Sequence, residues 1–462
     1  MKYVDNKVED VKIAYIGGGS RGWAWGFMSD LAAVDDMCGT VYLYDIDAEA
    51  SKKNEVIGNK IKDAEGCKSA WKYKSVKRLG KALDKADFVI ISILPATFDE
   101  MESDVHWPEQ YGIYQSVGDT AGAGGIIRAL RTIPMFEEIA QNIKKYCPDA
   151  WVINYTNPMT MCVKTLYKVF PEIKAFGCCH EVFGTQKVLV TALEEMRGIE
   201  GIKREDIKVN VVGVNHFTWL TKAQYRDIDL FPVYREFCEK YKDTGYSKDI
   251  DENWFNKFFS SKEKVKIDLF LRYGYIAAAG DRHLAEFCPG SWYLKDKKTV
   301  REWGFELTPV SWRKEDLKNR LERSERLYTG EEKFELKETG EEGVQQIRAL
   351  LGLGDLVTNV NIPNYGQIPN LPLGAVVETN ASFRANSLTP VFAGNIPENI
   401  YPLISRVSGE QEKVVDAALA RDLDGVFNAF VSDPNIDIPL SKARKMFDEM
   451  IENTKKYLKM YF

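Results

Sequence analysis

Alternating apolar and polar stretches in the first hundred residues predict a strand, a helix and two further strands. Residues 11–16 form a short apolar run, and residues 23–34 then carry apolar side chains at helical spacing. Residues 40–44 are a second short apolar run, and residues 88–94 are the longest one. We expect the runs at 11–16, 40–44 and 88–94 to be buried strands.

The same rhythm continues to about residue 190. It predicts a helix at 126–146, a strand at 151–154, a helix at 159–170 and a strand at 175–177. Strands that alternate with helices indicate an α/β fold with a doubly wound parallel sheet of the Rossmann type, as in lactate and malate dehydrogenases. We assign residues 1–190 to this domain.

Beyond residue 190 the alternation fails, which predicts a second, mixed α+β domain over residues 191–462. A strand at 209–214 ends at Asn215-His216, and aromatic, charged, helical stretches follow. Residues 314–342 are dense in charge and poor in apolar side chains. We expect that segment to be a solvated helix or a mobile excursion and not a binding element.

A glycine-rich turn follows the first strand and opens the first helix. Its motif is Gly17-Gly18-Gly19-Ser20-Arg21-Gly22, and Asp45 ends the second strand roughly 20 residues later. Glycines let the backbone approach a pyrophosphate, and an acid at this distance binds the ribose hydroxyls of NAD. The expected cofactor contacts, which include two residues at the ends of later strands, are Gly17, Gly19, Ser20, Arg21, Gly22, Asp45, Pro95 and Asn154.

Composition and charge exclude several classes of partner. The 462 residues carry 62 basic and 68 acidic side chains, a net charge of −6, so no broad basic surface is offered to nucleic acid. The polar N-terminus shows no signal or transit peptide, and no apolar run approaches the roughly 20 residues that cross a bilayer. Eight scattered cysteines do not form a disulfide framework. We expect a cytoplasmic protein with reduced thiols and no membrane partner.

Two polar clusters are candidates for a substrate site. Glycines and Asp119 in residues 118–125 lead into the helix that carries Arg128 and Arg131. This loop is either a flexible helix cap or a place of close approach to a substrate. A second cluster, of which we expect part to lie in a site, consists of Tyr273, Tyr275, Asp281, Arg282, His283 and Glu286.

Cys179 and His180 follow the strand predicted at 175–177, at the sheet edge where ligands bind. Thiolate and imidazole groups bind transition metals, although a lone Cys-His pair is more often structural. The position of Cys179 at the ligand edge favours metal binding over a structural role.

With these features in place, the chain resembles glycoside hydrolase family 4 over nearly its whole length. Beyond the glycine turn, the resemblance rests on the motifs Asn154-Tyr155-Thr156-Asn157-Pro158, Cys179-His180-Glu181-Val182 and Asn215-His216. Within that family the quartet at 179–182 is similar to that of members that cleave α-galacturonides.

The resemblance implies a glycosidase that uses NAD and Mn²⁺ and forms a homodimer or homotetramer. In this family NAD⁺ oxidises C3 of the sugar, a base removes the C2 proton, the aglycone leaves, water adds, and the hydride returns. The metal ligands implied are Cys179 and His216, although their donor types alone suit zinc, cobalt or nickel better. Tyr275 is the implied C2 base, with Tyr273 as the alternative.

Further roles follow from the resemblance and from the charge of a uronate substrate. Asp281 would assist proton transfer, and His180 belongs to the catalytic set without an assigned step. A uronate carboxylate calls for a guanidinium, which Arg128, Arg131 or Arg282 would supply. The expected substrate contacts are Asn157, Asp119, Arg128, Glu181 and Arg282.

Three alternatives remain open from the sequence. The same chemistry would serve neutral α-glucosides or α-galactosides. An NAD-dependent hydroxy acid dehydrogenase would share the nucleotide site, although the quartet and His216 argue against it. A nonenzymatic NAD-sensing module would need no role for Cys179.

Overall fold

The computed structural model describes residues 1–247, 258 and 260–462. Its strands in these residues are β1 (Lys2–Val4), β2 (Lys7–Ile16), β3 (Met37–Tyr44), β4 (Lys72–Val76), β5 (Phe88–Ile91), β6 (Trp151–Asn154), β7 (Lys174–Gly177), β8 (Lys208–Val214), β9 (Phe217–Tyr225), β10 (Ile228–Asp229), β11 (Ile276–Ala277), β12 (Leu356–Pro363), β13 (Val376–Arg384) and β14 (Ser387–Pro390).

The α-helices in the same residues are α1 (Trp23–Ala32), α2 (Ala48–Lys60), α3 (Leu79–Leu83), α4 (Phe98–His106), α5 (Gly122–Tyr146), α6 (Met159–Val169), α7 (Glu181–Arg197), α8 (Leu230–Tyr241), α9 (Lys264–Tyr273), α10 (Asp281–Phe287), α11 (Gly290–Tyr293), α12 (Lys297–Glu302), α13 (Val310–Thr329), α14 (Gly343–Leu350), α15 (Tyr401–Leu419), α16 (Leu423–Phe430) and α17 (Leu440–Thr454).

Six parallel strands form the centre of the main sheet. They lie side by side in the order β4-β3-β2-β5-β6-β7, which is the strand order of the Rossmann fold. The order reverses between β2 and β5, so a ligand crevice opens beyond the carboxyl ends of these strands. The doubly wound parallel sheet predicted from the sequence is confirmed.

Strands from the second half of the chain extend this sheet. β12 pairs antiparallel with β7 at Asn361 and Gly177, and β13 and β14 continue outward. Without them the apolar β7 would be an open sheet edge, which proteins generally cover. Residue 190, the expected end of the first domain, lies inside α7, so both halves of the chain contribute to one sheet.

A second, smaller sheet contains β8, β9, β10 and β11. β8 and β9 form an antiparallel hairpin whose closing pair is Val214 and Phe217. The hairpin turn therefore consists of Asn215 and His216, and His216 has a φ of 63°. The strand predicted at 209–214 is confirmed. The hairpin that follows it fixes the position of His216 in its turn.

The charge-dense segment at 314–342 is only partly as expected. α13 is largely solvent-exposed, and the residues that it buries are Val310, Trp312, Ser324 and Leu327. Residues 330–342 have no helix or strand, but Phe334 and Leu336 pack against the core of the main sheet. The backbone N–H of Thr339 donates to Asp30 Oδ1 at 3.2 Å. The solvated helix expected for this segment is present as α13, and the stretch after it is attached to the domain by these apolar side chains.

The described residues contain no helix that is both long and apolar enough to cross a membrane. All eight cysteines are free thiols, as expected from their scatter along the sequence.

Candidate active site

The glycine turn after β2 has a backbone that only glycine tolerates. Gly17 has a φ of 93°, and a Cβ at this position would overlap the carbonyl group of Ser92, which follows β5. The N–H of Gly19 donates to Asp45 Oδ2 at 2.8 Å, and the N–H of Asp47 donates to Asp45 Oδ1 at 2.9 Å. These two hydrogen bonds stabilise the turn. Asp45 directly follows β3, as the sequence predicts.

The start of α1 lies open beside the turn. Gly22 is the residue that precedes the helix, and it makes no side-chain capping hydrogen bond, so the first N–H groups of α1 are available to an anion. A Cβ on Gly22 would meet the Arg320 guanidinium, which donates to the Arg21 carbonyl at 3.2 Å. The uncapped helix start and the neighbouring cation fit the pyrophosphate of a dinucleotide.

The other expected cofactor residues lie around this turn in different roles. The carbonyl of Ser20 accepts from Asn54 Nδ2 at 2.9 Å. The carbonyl of Pro95 accepts from Arg131 Nε at 3.3 Å. The Asn154 side chain is fully buried and bonds both backbone groups of Thr156. Pro95 and Asn154 therefore form hydrogen bonds inside the protein that stabilise the crevice.

Three potential metal ligands meet beyond the sheet edge. One ligand atom each from Asp119, His216 and His283 lie within 4.8 Å of one another, and the two histidine rings are 3.9 Å apart between centroids. Asp119 precedes α5, His216 lies in the β8–β9 turn, and His283 is in α10. The structure therefore joins His216 to Asp119 and His283, a set that the sequence did not single out.

Hydrogen bonds around the cluster leave ligand atoms free. Thr120 Oγ1 donates to Asp119 Oδ1 at 2.7 Å and lies 3.2 Å from His216 Nδ1. His216 Nδ1 therefore carries the proton that Thr120 accepts, and His216 Nε2 keeps a lone pair. Among the described residues, His283 Nδ1 is buried with no hydrogen-bond partner. Two imidazole nitrogens and a carboxylate fit a divalent transition metal.

Electrostatics keep this cluster in its metal-binding protonation state. Burial and the neighbouring His283 lower the pKa of His216 to about 3, so its imidazole is neutral at pH 7. Burial opposes ionisation of Asp119, but the Arg128 guanidinium and the two histidine rings outweigh it and lower the pKa of this carboxyl below its usual range. A carboxylate and neutral imidazoles are the forms that bind metal.

Cys179 lies in a different environment from this cluster. Its side chain is buried among Met159, Val163 and Val376. Burial, followed by the charges of Glu378 and Glu181, raises the pKa of the thiol well above its usual value. The thiol therefore stays protonated unless a cation binds beside it, because the thiolate is the form that ligates metal.

Glu378 on β13 is a buried carboxyl close to the loop that carries Cys179. It accepts hydrogen bonds from Asn215 Nδ2 at 3.1 Å and Asn359 Nδ2 at 2.7 Å. Burial raises its pKa to about 7. Asn359 Nδ2 also contacts the Cys179 carbonyl at 3.2 Å, so β12 and β13 support the loop that carries Cys179.

Glu181 connects the quartet to α10. Its Oε2 accepts from the Gly280 N–H at 2.7 Å, and its Oε1 lies 3.7 Å from His283 Nε2. Burial opposes ionisation, but the surrounding histidines outweigh it and lower the pKa of Glu181 to about 2. Glu181, which the sequence predicts to contact the substrate, therefore contacts His283 and the start of α10 in the structure.

His180 points away from the metal-ligand cluster toward the charged segment. Its Nδ1 lies 2.6 Å from Glu341 Oε1, and this hydrogen bond raises its pKa above the usual value. The Trp23 ring is 6.4 Å away between centroids. His180 therefore stands between the start of α1 and the wall of the substrate cavity.

Asn157 forms hydrogen bonds with Arg128 and with Asp119 of the metal-ligand cluster. Asn157 Nδ2 contacts Asp119 Oδ2 at 3.4 Å, and the Asn157 carbonyl accepts from Arg128 Nε at 3.1 Å. Asn157 Oδ1 is buried without a partner among the described residues. This amide oxygen is available to a sugar hydroxyl.

Other expected residues have structural partners. Arg131 is fully buried and pairs with Asp104, and Arg282 donates to the Ser116 carbonyl at 2.9 Å. Asp281 accepts the N–H groups of Val265 and Lys266 at 3.1 and 3.0 Å and thereby caps α9. Burial raises the pKa of Asp281.

Neither tyrosine expected to be the base lies in the cavity wall. Tyr275 packs edge-on against Phe231 at 6.4 Å, and Tyr273 packs against Trp219 at 6.0 Å. In the described part of the chain, the tyrosine that lines the cavity is Tyr246. Tyr246 follows α8 in a polar stretch, and no motif in the sequence marks it.

A cavity of about 520 Å³ lies beside the cluster of Asp119, His216 and His283. The described residues that line it are Val117, Asp119, Asn157, His180, Glu181, Gly184, Lys187, Val188, Thr191, His216, Tyr246, Ser247, Ser261, Glu263, Gly280, Asp281, Arg282, His283 and Arg313. The volume suits a sugar ring with a short aglycone.

Comparison with known proteins defines the family. The model of the family 4 glycosyl hydrolases matches residues 12–195, and the model of their C-terminal domain matches residues 211–436. The chain belongs to the family 4 glycosyl hydrolases. The family resemblance expected from the sequence is therefore confirmed, and the protein is a glycosidase.

Similar relatives match this chain over nearly its whole length. The chain is 66% identical to an α-galacturonidase of Thermoanaerobacterium saccharolyticum, over 99% of this chain and 98% of that one. It is 54% identical to an α-galacturonidase of Bacillus subtilis, over 96% and 98%. It is 28% identical to an α-galactosidase of Bacillus subtilis, over 93% and 94%.

Solved structures share the fold. A putative glucosidase from Bacillus subtilis superimposes with a TM-score of 0.91 at 54% identity, over 96% of this chain and 100% of that one. A 6-phospho-α-glucosidase from gut microorganisms, solved with NAD and Mn²⁺, has a TM-score of 0.79 at 21% identity, over 97% and 99%.

Proposed function

We propose that this family 4 glycosidase hydrolyses small α-galacturonides with the help of NAD and a divalent metal ion, Mn²⁺ in its relatives. One observation carries the proposal: the cluster of Asp119, His216 and His283 lies in a sugar-sized cavity beside a dinucleotide turn. The α-galacturonide specificity is supported by 66% identity to an enzyme of that activity.

Each cofactor and each residue of the site has a separate role in the proposed reaction. When bound, NAD⁺ would accept and return a hydride at C3 of the sugar, and the metal would supply Lewis acidity. Asp119, His216 and His283 supply metal ligands, and Cys179 joins them as a thiolate once it has lost its proton. Asn157 Oδ1 accepts a sugar hydroxyl and so fixes the ring.

The proton at C2 needs a base within the cavity. We assign it to Tyr246, because Tyr246 lines the cavity and neither Tyr273 nor Tyr275 does. His180, held by Glu341, borders the cavity on the side of the charged segment, and we assign it to the leaving group. Asp281 contributes by capping α9 and not by moving a proton.

A substrate panel tests the proposal. The purified protein is given an α-linked digalacturonide, an α-galactoside or an α-glucoside, with NAD⁺ and Mn²⁺ varied independently. We expect galacturonate release that requires both additions and much slower cleavage of the neutral glycosides. Equal rates on the neutral glycosides, or galacturonate release with neither NAD⁺ nor metal, would overturn the proposal.

The assignment of the base has its own test. Loss of a general base typically costs about 10²–10⁴-fold in rate, so Tyr246→Phe should lower kcat within that range, whereas Tyr275→Phe should change it by less than about threefold. If Tyr275→Phe is inactive while Tyr246→Phe keeps its activity, the base is Tyr275 and the assignment is wrong.

We also propose that the protein works in the cytoplasm as a homodimer or homotetramer. Eight free cysteines are consistent with a reducing compartment, and the family relationship suggests the assembly. Light scattering coupled to gel filtration measures the mass; a monomer at working concentration would contradict the assembly.

A further inference from the structure

A galacturonide brings a carboxylate into the cavity, and that charge needs a cation in the wall. The cationic side chains among the described lining residues, apart from histidines, are Lys187, Arg282 and Arg313. The acidic residues of the same wall are Asp119, Glu181, Glu263 and Asp281. An anionic substrate is therefore repelled unless one of these cations faces its carboxylate.

The arginines expected from the sequence are committed to the protein. The Arg131 guanidinium is buried against Asp104. Arg282 donates from Nη2 to Ser116 and Thr308, and Arg128 is buried with its Nε on the Asn157 carbonyl. Arg128 and Arg131 do not line the cavity, and Arg282 lines it with its Nη2 already bonded to Ser116 and Thr308.

Arg313 differs from these three arginines. It lies in the first turn of α13, whose beginning is fixed by a 3.1 Å hydrogen bond from the Val310 N–H to His106 Nε2. Its side chain is half-buried in the cavity wall. No carboxylate of residues 1–247, 258 or 260–462 forms an ion pair with it, although most arginines in these residues have one.

The charge of Arg313 acts on its neighbours. Burial lowers the pKa of Arg282 to about 10, and the positive charge of Arg313 adds to this effect. Arg313 likewise contributes to the lowered pKa of Arg128. Arg313 and Arg282 therefore repel each other in the cavity wall, and an anionic ligand beside them would relieve that repulsion.

Lys187 is the competing cation. It is solvent-exposed on α7, and its ammonium is a mobile, strongly hydrated point charge. A guanidinium binds a carboxylate through two parallel N–H groups and fixes its plane. A half-buried arginine on a fixed helix turn therefore gives the stronger and more selective contact.

We propose that Arg313 binds the substrate carboxylate and thereby sets the preference for galacturonides over neutral glycosides. This inference rests on the proposed function and names the residue that provides its specificity. It places the recognition of the substrate carboxylate in the first turn of α13, directly before the charge-dense segment at 314–342.

The test compares Arg313→Gln, Arg313→Lys and Lys187→Ala, with Lys318→Ala as a matched control. Lys318 is an exposed cation on the same helix. The substrates are an aryl α-galacturonide and its methyl ester, which has the same shape without the charge. Galacturonate binding, followed by isothermal titration calorimetry, gives a second measurement that does not depend on turnover.

We expect Arg313→Gln to lower kcat/KM about 100-fold on the acid and less than threefold on the ester, as loss of a charge-assisted bidentate contact implies. Arg313→Lys should lose about tenfold on the acid, and Lys318→Ala should match the wild type. Binding of galacturonate should weaken in parallel.

Two results would overturn the role of Arg313. One is an equal loss on acid and ester for Arg313→Gln with its melting temperature unchanged; the other is an acid-selective loss in Lys187→Ala with none in Arg313→Gln. A wild-type protein that prefers the ester or a neutral galactoside would instead refute the proposed function itself.

Discussion

Replacing Gly17 by alanine probes the nucleotide turn directly. Gly17 has a φ of 93°, and a Cβ there would lie 2.7 Å from the carbonyl carbon of Ser92, which is buried backbone. The turn brings the ends of β2 and β5 together at the point where the strand order reverses. Alanine would therefore disturb both the fold and the cofactor crevice.

The loss in free energy of unfolding for Gly17→Ala can be compared with that for Gly198→Ala, which serves as a matched control. The left-handed conformation costs a non-glycine residue about 1–2 kcal/mol, and forcing a methyl group into packed structure costs about 1–3 kcal/mol more. Gly198, at the end of α7, has a φ of 66° with no atom within 4 Å of a Cβ. Gly17→Ala should thus destabilise by about 3 kcal/mol, and Gly198→Ala by about 1 kcal/mol.

Thermal unfolding with and without NAD⁺ measures both effects. A ligand that binds the native state raises the melting temperature, and the rise increases with the logarithm of its concentration relative to its Kd. The wild type and Gly198→Ala should both gain this rise, whereas Gly17→Ala should lose it and melt several degrees below Gly198→Ala. Equal melting temperatures for the two variants, with the NAD⁺ rise intact in both, would refute the role given to Gly17.

Three further changes test the site and its supports. His283→Ala should weaken Mn²⁺ binding at least tenfold by electron paramagnetic resonance, and unchanged binding would remove His283 from the ligand set. Arg131→Ala should cost about 3–5 kcal/mol in the free energy of unfolding, because it leaves Asp104 buried without a partner; Asp104→Leu with Arg131→Met should recover most of that loss in urea unfolding. Burial raises the pKa of Glu286 from 4.5 to about 7, so the native state holds a proton that the unfolded chain releases, and stability falls as pH rises between these values. Glu286→Gln should show a smaller fall than the wild type, because Glu378, whose pKa burial also raises to about 7, still contributes to it. The same dependence of melting temperature on pH in both proteins would contradict the assignment.

The parallel core of the fold was predictable because its signals are local. The residues of β2, the glycine turn and α1 lie together in the sequence, and Asp45 follows at the spacing that the turn requires. The strands added by the second half were not predictable in this way. β12 pairs with β7 across a long separation, and an apolar run does not specify which edge it will cover.

The candidate site was predictable only in part, for a similar reason. His216 and Asp119 stood in recognised motifs, but their meeting with His283 depends on how the β8–β9 turn and α10 pack. Arg313 was hidden in a charged helix whose sequence is typical of a solvated surface. Tyr246 carried no motif, and its position depends on packing after α8.

The most direct measurement of the chemistry is the fate of hydrogen at C2. An α-galacturonide with ordinary hydrogen at C2 is hydrolysed in D₂O with NAD⁺ and Mn²⁺, and the released galacturonate is examined by proton NMR. Removal of the C2 proton, elimination and addition of water would place solvent deuterium at C2 of the product. Galacturonate released with its original C2 proton would contradict this mechanism and indicate direct displacement at C1.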